Sequence, residues 1–358
     1  MRASPGKTNK NVFVGMSGGV DSSVSAALLK KAGNDVTGVF MKVWQPDWLE
    51  CDWKEERLDA MRAAAHIGIP FVTLDLQKEY KEGVIDYMIS EYKAGRTPNP
   101  DVACNREVKF GAFWKWAKGQ GADLIATGHY ARNKDDRLFV SKDTNKDQTY
   151  FLWTLTKDDL KHILFPIGGM TKPEVRKLAK DLKLPNADKK DSQGLCFIGK
   201  VDLKGFLRHY IRAEPGEVLS ENGEVIGKHP GALLFTIGER RGFTITKKTP
   251  ADAPYFVIGK DVEHNIITVS NKSADNSLSG AKKVVEISRI NWISGAPEPG
   301  RPLKARSRYR ETLQGAKASS TSGDKATIEF DEPQSTLTPG QSLVIYDGGE
   351  CLGGGIIV

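Results

Sequence analysis

The sequence predicts an α/β fold: a doubly wound parallel sheet in an N-terminal domain, then a small β-rich central domain and a C-terminal β-barrel. Through the first 130 residues, short apolar runs typical of buried strands alternate with stretches of helical periodicity, which is typical of parallel strands joined by helical crossovers. After about residue 205, glycine and proline separate short β-rich runs. A chain of 358 residues is long enough for several domains, and we expect them at residues 1–205, 206–275 and 281–358.

The first domain is predicted from its periodicity, element by element. Strands are expected at Asn11–Met16, Asp35–Met41, Phe71–Leu76 and Asp123–Thr127. Helices are expected at Ser22–Lys31, Lys54–His66, Glu79–Ala94, Arg106–Lys118 and Thr171–Leu182, the last with Pro173 near its start. Ligands of such folds bind at the carboxyl ends of the strands, so that edge of the sheet is where we expect the functional site.

The sequence predicts short strands in the rest of the chain. In the central domain they are expected at Gly216–Leu219, Val225–Ile226, Leu233–Ile237, Tyr255–Ile258 and Ile266–Val269. The polar stretch Asn271–Gly280 is expected to be a linker or a long loop. Four further β-rich runs, at residues 284–290, 326–330, 342–347 and 353–358, predict a small barrel.

Composition excludes several classes of protein. Four cysteines without a C-x-x-C pair support neither a disulfide scaffold nor a structural zinc site, and we predict no metal held by the protein alone. No apolar run reaches the roughly 18 residues of a membrane span, and the short polar start is unlike a signal peptide, so we expect a cytoplasmic protein. The net charge of +7 fits an anionic partner and fits equally a basic enzyme without one.

The segment Gly15–Ser23 has the composition of an anion-binding loop between a strand and a helix. Gly18 and Gly19 allow close approach of a ligand to the backbone, and the helix that follows offers free N–H groups. Asp21 can cap that helix or help to hold a metal ion. The loop lacks the lysine of a Walker A motif, which favours chemistry that leaves pyrophosphate intact. The alternative is an ordinary glycine turn before a capped helix.

A second segment, Gly95–Asn105, places Cys104 in a proline-punctuated loop. We expect this cysteine just before helix Arg106–Lys118, where the helix dipole lowers a thiol pKa. Asp101, three residues earlier, suits a general acid or base. The alternative is that Cys104 is a small buried apolar residue.

A third segment, Lys189–Gly199, contains Cys196 between glycines. Two loop cysteines together with an anion-binding loop suggest sulfur transfer, in which one thiol carries a persulfide and the other resolves it. We expect Cys104 and Cys196 to converge, whereas Cys51 and Cys351 lack such settings and are expected to be structural.

Basic residues alternate along Arg301–Arg310. On one strand Lys304, Arg306, Arg308 and Arg310 would share a face and form a phosphate-binding ridge. The alternative is an edge strand protected by charge.

The loop at Gly15–Ser23 resembles the S-G-G-x-D-S signature of the ATP pyrophosphatases, or PP-loop enzymes, which split ATP into AMP and pyrophosphate while adenylating a substrate. Further motifs in the same order, from Val14 to Ile357, resemble the bacterial-type tRNA 2-thiouridylase family among them. Besides the two cysteine segments, these are Phe40-Met41-Lys42 with Trp44, Ala126–Tyr130, Lys146–Leu152 and Cys351–Ile357.

This resemblance implies an adenine nucleotide alpha hydrolase-like N-terminal domain and the activity of a tRNA-uridine 2-sulfurtransferase. Such an enzyme adenylates the 2-carbonyl of the wobble uridine and then replaces that oxygen with sulfur from a cysteine persulfide, either directly or as released sulfide. The implied cofactor is ATP with Mg²⁺. The implied partners are the anticodon stem-loop of tRNA and a persulfide donor, either a cysteine desulfurase or a sulfur-relay protein.

The resemblance also implies roles for residues by position. Cys104 matches the nucleophile, Cys196 the persulfide carrier and Asp101 a further catalytic residue. The positions that match the ATP site are Gly15, Met16, Ser17, Gly18, Gly19, Val20, Asp21, Ser22, Met41 and Gly128. The positions that match tRNA contacts are Asn99, Pro100 and Asp101 around the target base, with His129, Lys146, Asp147, Gln148, Arg308, Tyr309 and Gln341.

Two rival functions stay open at this point. One is an ATP-dependent ligase or amidating synthetase acting on a small molecule, which would need neither the cysteine pair nor a basic barrel strand. The other is an RNA-binding chaperone that keeps a degenerate nucleotide site, which the intact loop and both cysteines argue against.

Overall fold

The computed structural model describes residues 9–48, 53–190, 202–247, 253–271, 281–335 and 337–358. The strands of its N-terminal part are β1 (Asn11–Gly15), β2 (Asp35–Lys42), β3 (Phe71–Asp75), β4 (Leu124–Ala126), β5 (Ala131–Lys134), β6 (Arg137–Val140) and β7 (Ile163–Leu164). Five of them form a parallel sheet in the order β3-β2-β1-β4-β7. The doubly wound parallel sheet is therefore confirmed, and its order reverses between β1 and β4, where ligands of such folds bind.

Several helices accompany this sheet, and one more follows it in the chain. They are Val20–Lys31, Trp53–Ile67, Lys157–Leu160, Lys172–Asp181 and Leu203–Arg208. Two longer helices each contain a π-helical segment: helix 77–93 consists of Gln77–Tyr80, Lys81–Asp86 and Tyr87–Lys93, and helix 100–119 of Pro100–Cys104, Asn105–Ala112 and Phe113–Gly119. The predicted helix at Thr171–Leu182 is confirmed with its start signals, because Thr171 and Glu174 form a capping box and Pro173 lies in the first turn.

Helix 100–119 begins earlier than predicted. The Asn99 side chain accepts a hydrogen bond from the Val102 N–H (3.3 Å), and Pro100 occupies the first helical position, which is a standard start of a helix. Cys104 is therefore the fifth residue of the helix and does not precede it. Because the effect of the helix dipole falls off within the first turn, the expectation that this dipole acts directly on the Cys104 thiol was wrong.

A five-stranded sheet forms the central part. Its strands are β8 (Gly216–Leu219), β9 (Val225–His229), β10 (Thr244–Ile245), β11 (Phe256–Asp261) and β12 (Ile266–Ser270), in the order β10-β9-β8-β12-β11. The predicted strand Leu233–Ile237 was wrong, because the chain turns at Gly231 (φ 143°) into the short 3₁₀ helix Ala232–Leu234. The turn buries Leu234 and Phe235 in the core without a strand.

The C-terminal part is a closed barrel, as predicted. Its antiparallel strands are β13 (Lys282–Trp292), β14 (Leu303–Arg306), β15 (Gln314–Ser322), β16 (Lys325–Gln334), β17 (Ser342–Asp347) and β18 (Glu350–Ile357). They follow the order β13-β16-β15-β14-β17-β18, and pairing of β13 with β18 closes the barrel. The hairpin β5–β6 of the N-terminal part pairs with β18 through Leu138 and Phe139, so one sheet joins the first and last parts of the chain.

The predicted basic ridge is not present. Strand β14 ends at Arg306, which is buried and forms an ion pair with Asp147 at 2.5 Å. The chain then turns, because the Glu311 carboxylate accepts hydrogen bonds from the N–H groups of Ser307 (2.7 Å) and Arg308 (3.0 Å). The four basic side chains therefore do not share one face of a strand.

The predicted linker Asn271–Gly280 lies, except for Asn271, outside the described residues. The domain limits at 1–205, 206–275 and 281–358 stay predictions. No helix in the described ranges is both long and apolar enough to cross a membrane.

Candidate functional site

The loop of residues 16–19 joins β1 to helix Val20–Lys31 at the carboxyl edge of the parallel sheet. Gly18 has φ 78°, and a Cβ atom there would lie 2.3 Å from the Glu56 carbonyl oxygen, so a side chain does not fit. The Ser22 hydroxyl accepts a hydrogen bond from the Ser17 N–H (3.3 Å) and donates one to the Gly19 carbonyl (3.1 Å). No side chain caps the helix, so its first N–H groups suit an anion.

The buried side-chain amide of Asn186 is hydrogen-bonded to this loop and to the helix that follows it. The Asn186 Nδ2 donates hydrogen bonds to the Gly18 carbonyl and to the Ser23 hydroxyl, both at 2.9 Å. Asn186 is itself buried. The loop is therefore held in one conformation before any ligand arrives.

Lys172 is a residue of this site that sequence analysis missed. Its Nζ lies 2.8 Å from each carboxylate oxygen of Asp21, and the Tyr130 hydroxyl donates a hydrogen bond to Asp21 Oδ1 (2.9 Å). Lys172 is the first residue of helix Lys172–Asp181 and is only 8% exposed. The loop sequence contains no lysine, and Lys172 reaches the loop from a helix that is distant in the sequence. No local sequence motif indicates this contact.

Two predicted nucleotide-site residues lie against the loop. A Cβ atom added to Gly128 would come within 2.7 Å of the Ser22 nitrogen, so the chain after β4 packs directly on the start of helix Val20–Lys31. Met41, near the end of β2, is buried, and its Cε would lie 2.9 Å from a Cβ atom on Gly15. The structure therefore brings Met41 and Gly128 together with the predicted loop.

The start of helix 100–119 lies at the same carboxyl edge of the sheet as this loop. Trp116 packs on Phe13 with ring centroids 5.6 Å apart, and Phe113 approaches Gly15 at the end of β1. The helix therefore runs antiparallel to β1, and its first residues lie beyond the carboxyl end of that strand. Asp101 and Cys104 are three residues apart near the start of this helix, a spacing that places two side chains on one helix face.

Cys104 is fully buried. Cys196, the predicted persulfide carrier, and Cys51 lie outside the described residues, so the predicted convergence of Cys104 and Cys196 stays a prediction. Cys351 is a free, fully buried cysteine in β18, and burial raises the pKa of its thiol to about 12. Its thiol is thus protonated at neutral pH and unreactive.

The segment that leads into helix 100–119 forms hydrogen bonds with the central part of the chain and with the barrel part. The Gln341 Nε2 donates hydrogen bonds to the carbonyls of Thr97 (2.8 Å) and Pro98 (3.0 Å), and the Thr97 N–H donates to the Pro339 carbonyl (2.9 Å). The hydroxyls of Thr97 and Thr236 lie 3.2 Å apart. Residues 97–99 are thus a junction between the N-terminal part, the central sheet and the barrel.

Arg308 crosses the same junction. Its Nη2 donates a hydrogen bond to the Ile237 carbonyl of the central part at 2.7 Å. The neighbouring Tyr309 packs its ring 4.6 Å from that of Phe151. Three residues expected to contact RNA, Arg308, Tyr309 and Gln341, therefore lie where the barrel meets the rest of the chain.

His129 and Asp147 occupy buried positions. The His129 Nδ1 lies 2.7 Å from the Thr127 hydroxyl, and burial, with a contribution from Lys109, lowers the pKa of its imidazole well below the usual value. Asp147 is 4% exposed and pairs with Arg306. Their neighbours Lys146 and Gln148 are partly exposed. In this structure the side chains of His129 and Asp147 thus face protein groups.

The site contains no ready-made metal centre within the ranges that the structure describes. No three His, Cys, Asp or Glu side chains there come together as a group that could hold a metal ion. Asp21 is the carboxylate at the loop, and it is paired with Lys172.

Three family models match the chain. They are described as the tRNA methyl transferase HUP domain (residues 10–200), the tRNA methyl transferase PRC-barrel domain (residues 204–271) and the aminomethyltransferase beta-barrel domain (residues 282–357). The first alone spans more than half of the chain.

Curated relatives match over nearly the whole length of both chains. A protein of Lacticaseibacillus paracasei is 46% identical over 98% of this chain and 94% of its own. One of Limosilactobacillus reuteri is 46% identical over 98% and 96%, and one of Thiobacillus denitrificans is 45% identical over 97% and 99%. All three are named tRNA-specific 2-thiouridylase MnmA.

Proposed function

The chain belongs to the tRNA-specific 2-thiouridylase family, and from that premise we propose that it uses ATP to replace the 2-oxygen of a tRNA wobble uridine with sulfur. It is a tRNA sulfurtransferase. The observation that supports the proposal is that loop 16–19, which suits an anion, and the helix start that bears Asp101 and Cys104 both lie at the carboxyl edge of the parallel sheet. Phosphate binding at the loop and thiol chemistry at the helix start would then take place at one edge of the sheet.

ATP binds through the loop and its neighbours. Backbone N–H groups of residues 15–22 hold the phosphates, while Met41 and Gly128 line the nucleotide. Lys172 adds the positive charge that the loop sequence lacks. The uridine 2-oxygen attacks the α-phosphorus, pyrophosphate leaves, and the 2-oxygen becomes part of an adenylate that is a good leaving group.

For a Mg²⁺ ion bound with ATP, this loop offers the carboxylate of Asp21 as a ligand. Mg²⁺ in nucleotide sites commonly takes one or two carboxylates and completes its shell with phosphate oxygens and water. Asp21 would provide that carboxylate once Lys172 moves to a phosphate. The ion would neutralise charge on the departing pyrophosphate.

Sulfur arrives as a persulfide on Cys196, loaded by a cysteine desulfurase or a sulfur-relay protein. Its terminal sulfur attacks C2 directly, and Cys104 then attacks the Cys196 sulfur to free the thiocarbonyl. Alternatively, Cys104 first attacks the persulfide and releases sulfide, which attacks C2. Either route expels AMP with the former 2-oxygen and leaves a Cys104–Cys196 disulfide, which must be reduced before the next turnover. Asp101 acts as the general acid or base.

The tRNA is held along the domain junction. Asn99, Pro100 and Asp101 surround the flipped target base, and flipping is the usual requirement for chemistry on a base. Lys146, Gln148, Arg308, Tyr309 and Gln341 contact the anticodon stem-loop. His129 and Asp147 are buried, and we assign them the positioning of Thr127 and Arg306 in place of direct contact.

The proposal is tested by incubating the protein with ATP, unmodified tRNA and a persulfide donor. The RNA is then digested to nucleosides for mass spectrometry, and the nucleotide products are separated. We expect 2-thiouridine, AMP and pyrophosphate. Cys104→Ser and Cys196→Ser should each abolish thiolation, and Cys104→Ser should still accept labelled persulfide sulfur. Cys51→Ser and Cys351→Ala serve as matched cysteine controls that retain activity.

The same experiment separates the rival functions. A ligase would cleave ATP only with an added small molecule and leave the tRNA unchanged. An RNA chaperone would bind tRNA without ATP cleavage, and a methyl transferase would add 14 mass units without AMP. Any of these results, or a Cys196→Ser variant that thiolates at the wild-type rate, would contradict the proposal.

A further inference from the structure

A small pocket lies at the seam between the catalytic helix and the barrel. It is lined by Asn99 and Arg106 at the start of helix 100–119, by Tyr87 of helix 77–93, and by Arg289 and Ser342 of the barrel. Asn99 is also the residue that caps the helix bearing Asp101 and Cys104. The pocket therefore shares Asn99 with the place assigned to the target base.

The backbone of Arg289 is in an unfavourable conformation. Its φ is 50°, in the left-handed region that is unfavourable for a residue with a side chain. Arg289 lies at a register shift between Ser288 and Asn291, where β13 changes its partner from β16 to β18. Bulges of this kind redirect side chains, and strained residues cluster at functional sites.

The strained segment is fixed to the N-terminal part of the chain. The Asn291 Nδ2 donates hydrogen bonds to the carbonyls of Trp153 and Leu155, both at 2.8 Å. This anchor holds the bulge in place while Arg289 points into the pocket. The arrangement positions one arginine of the barrel opposite one arginine of the catalytic helix.

The surroundings of the pocket carry an excess of positive charge, because Arg96, Arg106 and Arg289 outnumber Glu91 and Glu107. Glu91 is engaged by Arg96 through two hydrogen bonds (2.6 and 2.8 Å), and Arg106 uses its Nε for Glu107 (2.6 Å). Within the described ranges, no carboxylate forms an ion pair with Arg289. Burial and Glu91 raise the pKa of Tyr87, and the positive potential of Arg289 and Arg106 opposes that rise. This excess of positive charge favours an anion at the pocket.

We propose that Arg289 and Arg106 bind one backbone phosphate of the RNA, next to the nucleotide whose base enters the site. The guanidinium fork suits phosphate oxygens in geometry and charge. The inference rests on the proposed function, because Asn99 links this pocket to the target base. A triphosphate is the other source of the same chemistry, and the test separates the two.

The experiment measures tRNA affinity over a range of salt concentrations for the wild type, Arg289→Gly and Arg106→Ala. Each variant should reduce the slope of log affinity against log salt, by up to about 0.7, the single-strand value for one lost phosphate contact. Arg289→Gly should not lower the melting temperature, because glycine adopts a positive φ without strain. Arg301→Ala, which removes an exposed barrel arginine that does not line this pocket, should leave the slope unchanged.

Two further readouts make the test decisive. ATP affinity without tRNA should be the same in the wild type and both variants. A loss of ATP affinity, or an unchanged salt slope in both variants of a wild type that binds tRNA, would overturn the phosphate site while leaving the proposed function standing. A wild-type protein that does not bind tRNA would overturn the proposed function, and this inference with it.

Discussion

The Lys172 ammonium lies 2.8 Å from both carboxylate oxygens of Asp21, on the first turn of the helix that follows loop 16–19. The two residues are 151 positions apart in the chain. The pair keeps a lysine beside the loop that we propose binds phosphate, where an incoming phosphate would compete with Asp21 for it. If Lys172 moved to the phosphate, the Asp21 carboxylate would become available to a metal ion.

Replacing Lys172 by methionine should therefore weaken ATP binding by about 10- to 100-fold, the loss expected for one hydrogen bond to a charged group. Affinity for tRNA should change less than a few-fold. Asp21→Ala should remove ATP turnover and likewise spare tRNA binding. Equilibrium dialysis with labelled ATP measures the first effect, and Lys177→Met, on an exposed position of the same helix, is the control. Wild-type ATP affinity in Lys172→Met would contradict this role.

Gln341→Ala should loosen the start of helix 100–119, because it removes the hydrogen bonds to Thr97 and Pro98. We expect kcat for thiolation to fall about tenfold, the equivalent of one or two net hydrogen bonds, and alkylation of the buried Cys104 to become faster. Gln314→Ala is the matched control, since that side chain donates a hydrogen bond to the nearby Thr312 carbonyl. If Gln341→Ala raises KM for tRNA while the rate of Cys104 alkylation stays unchanged, Gln341 contacts the RNA and does not hold the start of the helix.

Arg306→Ala should destabilise the fold by about 3–5 kcal/mol, because it leaves the buried Asp147 carboxylate without its partner. An exposed arginine on a solvated strand would contribute within about 0.5 kcal/mol. Urea denaturation measures the free energy of unfolding, and Arg310→Ala, an exposed arginine of the turn that follows, is the comparison. Equal unfolding free energies of the two variants would show that the Arg306–Asp147 pair contributes nothing to the fold.

His129 predicts a pH dependence of stability. Because burial lowers the pKa of its imidazole well below the usual value, the unfolded chain binds this proton more readily than the folded one. The contribution of the neutral imidazole is fully present above about pH 6.5 and is lost as the pH falls toward the lower folded pKa. Between pH 7.5 and 5.5 the unfolding free energy of the wild type should fall by about 1 kcal/mol more than that of His129→Gln. Parallel curves for the two proteins would contradict this assignment.

Local patterns predicted most of the sheet elements. The runs at Gly216–Leu219 and Ser342–Asp347 are strands with the predicted bounds, since their apolar character is decided within a few residues. The helix at Lys172–Asp181 carries its start signals in its own sequence. By contrast, Asn99-Pro100 was interpreted as a rigid loop although the same pair is a helix start, which displaced Cys104 from its true position inside the helix.

Other features depend on long-range packing or on unusual turns. The hairpin β5–β6 turns through Asp135 and Asp136, both with positive φ, where the usual signal is Asn-Gly or Asp-Gly. The pairs Lys172–Asp21 and Arg306–Asp147 join residues 151 and 159 positions apart. The local sequence pattern does not predict contacts between residues so far apart. The contact of Lys172 with Asp21 and the burial of Arg306 were therefore missed.

Oxygen-isotope transfer tests the central claim most directly. An anticodon stem-loop is synthesised with ¹⁸O at C2 of its wobble uridine and incubated with the protein, ATP and a persulfide donor. If the 2-oxygen is adenylated and then displaced by sulfur, the ¹⁸O should appear in the phosphate of AMP, in amounts equal to the 2-thiouridine formed. Unlabelled AMP, with the ¹⁸O retained in the RNA or released to water, would contradict the account.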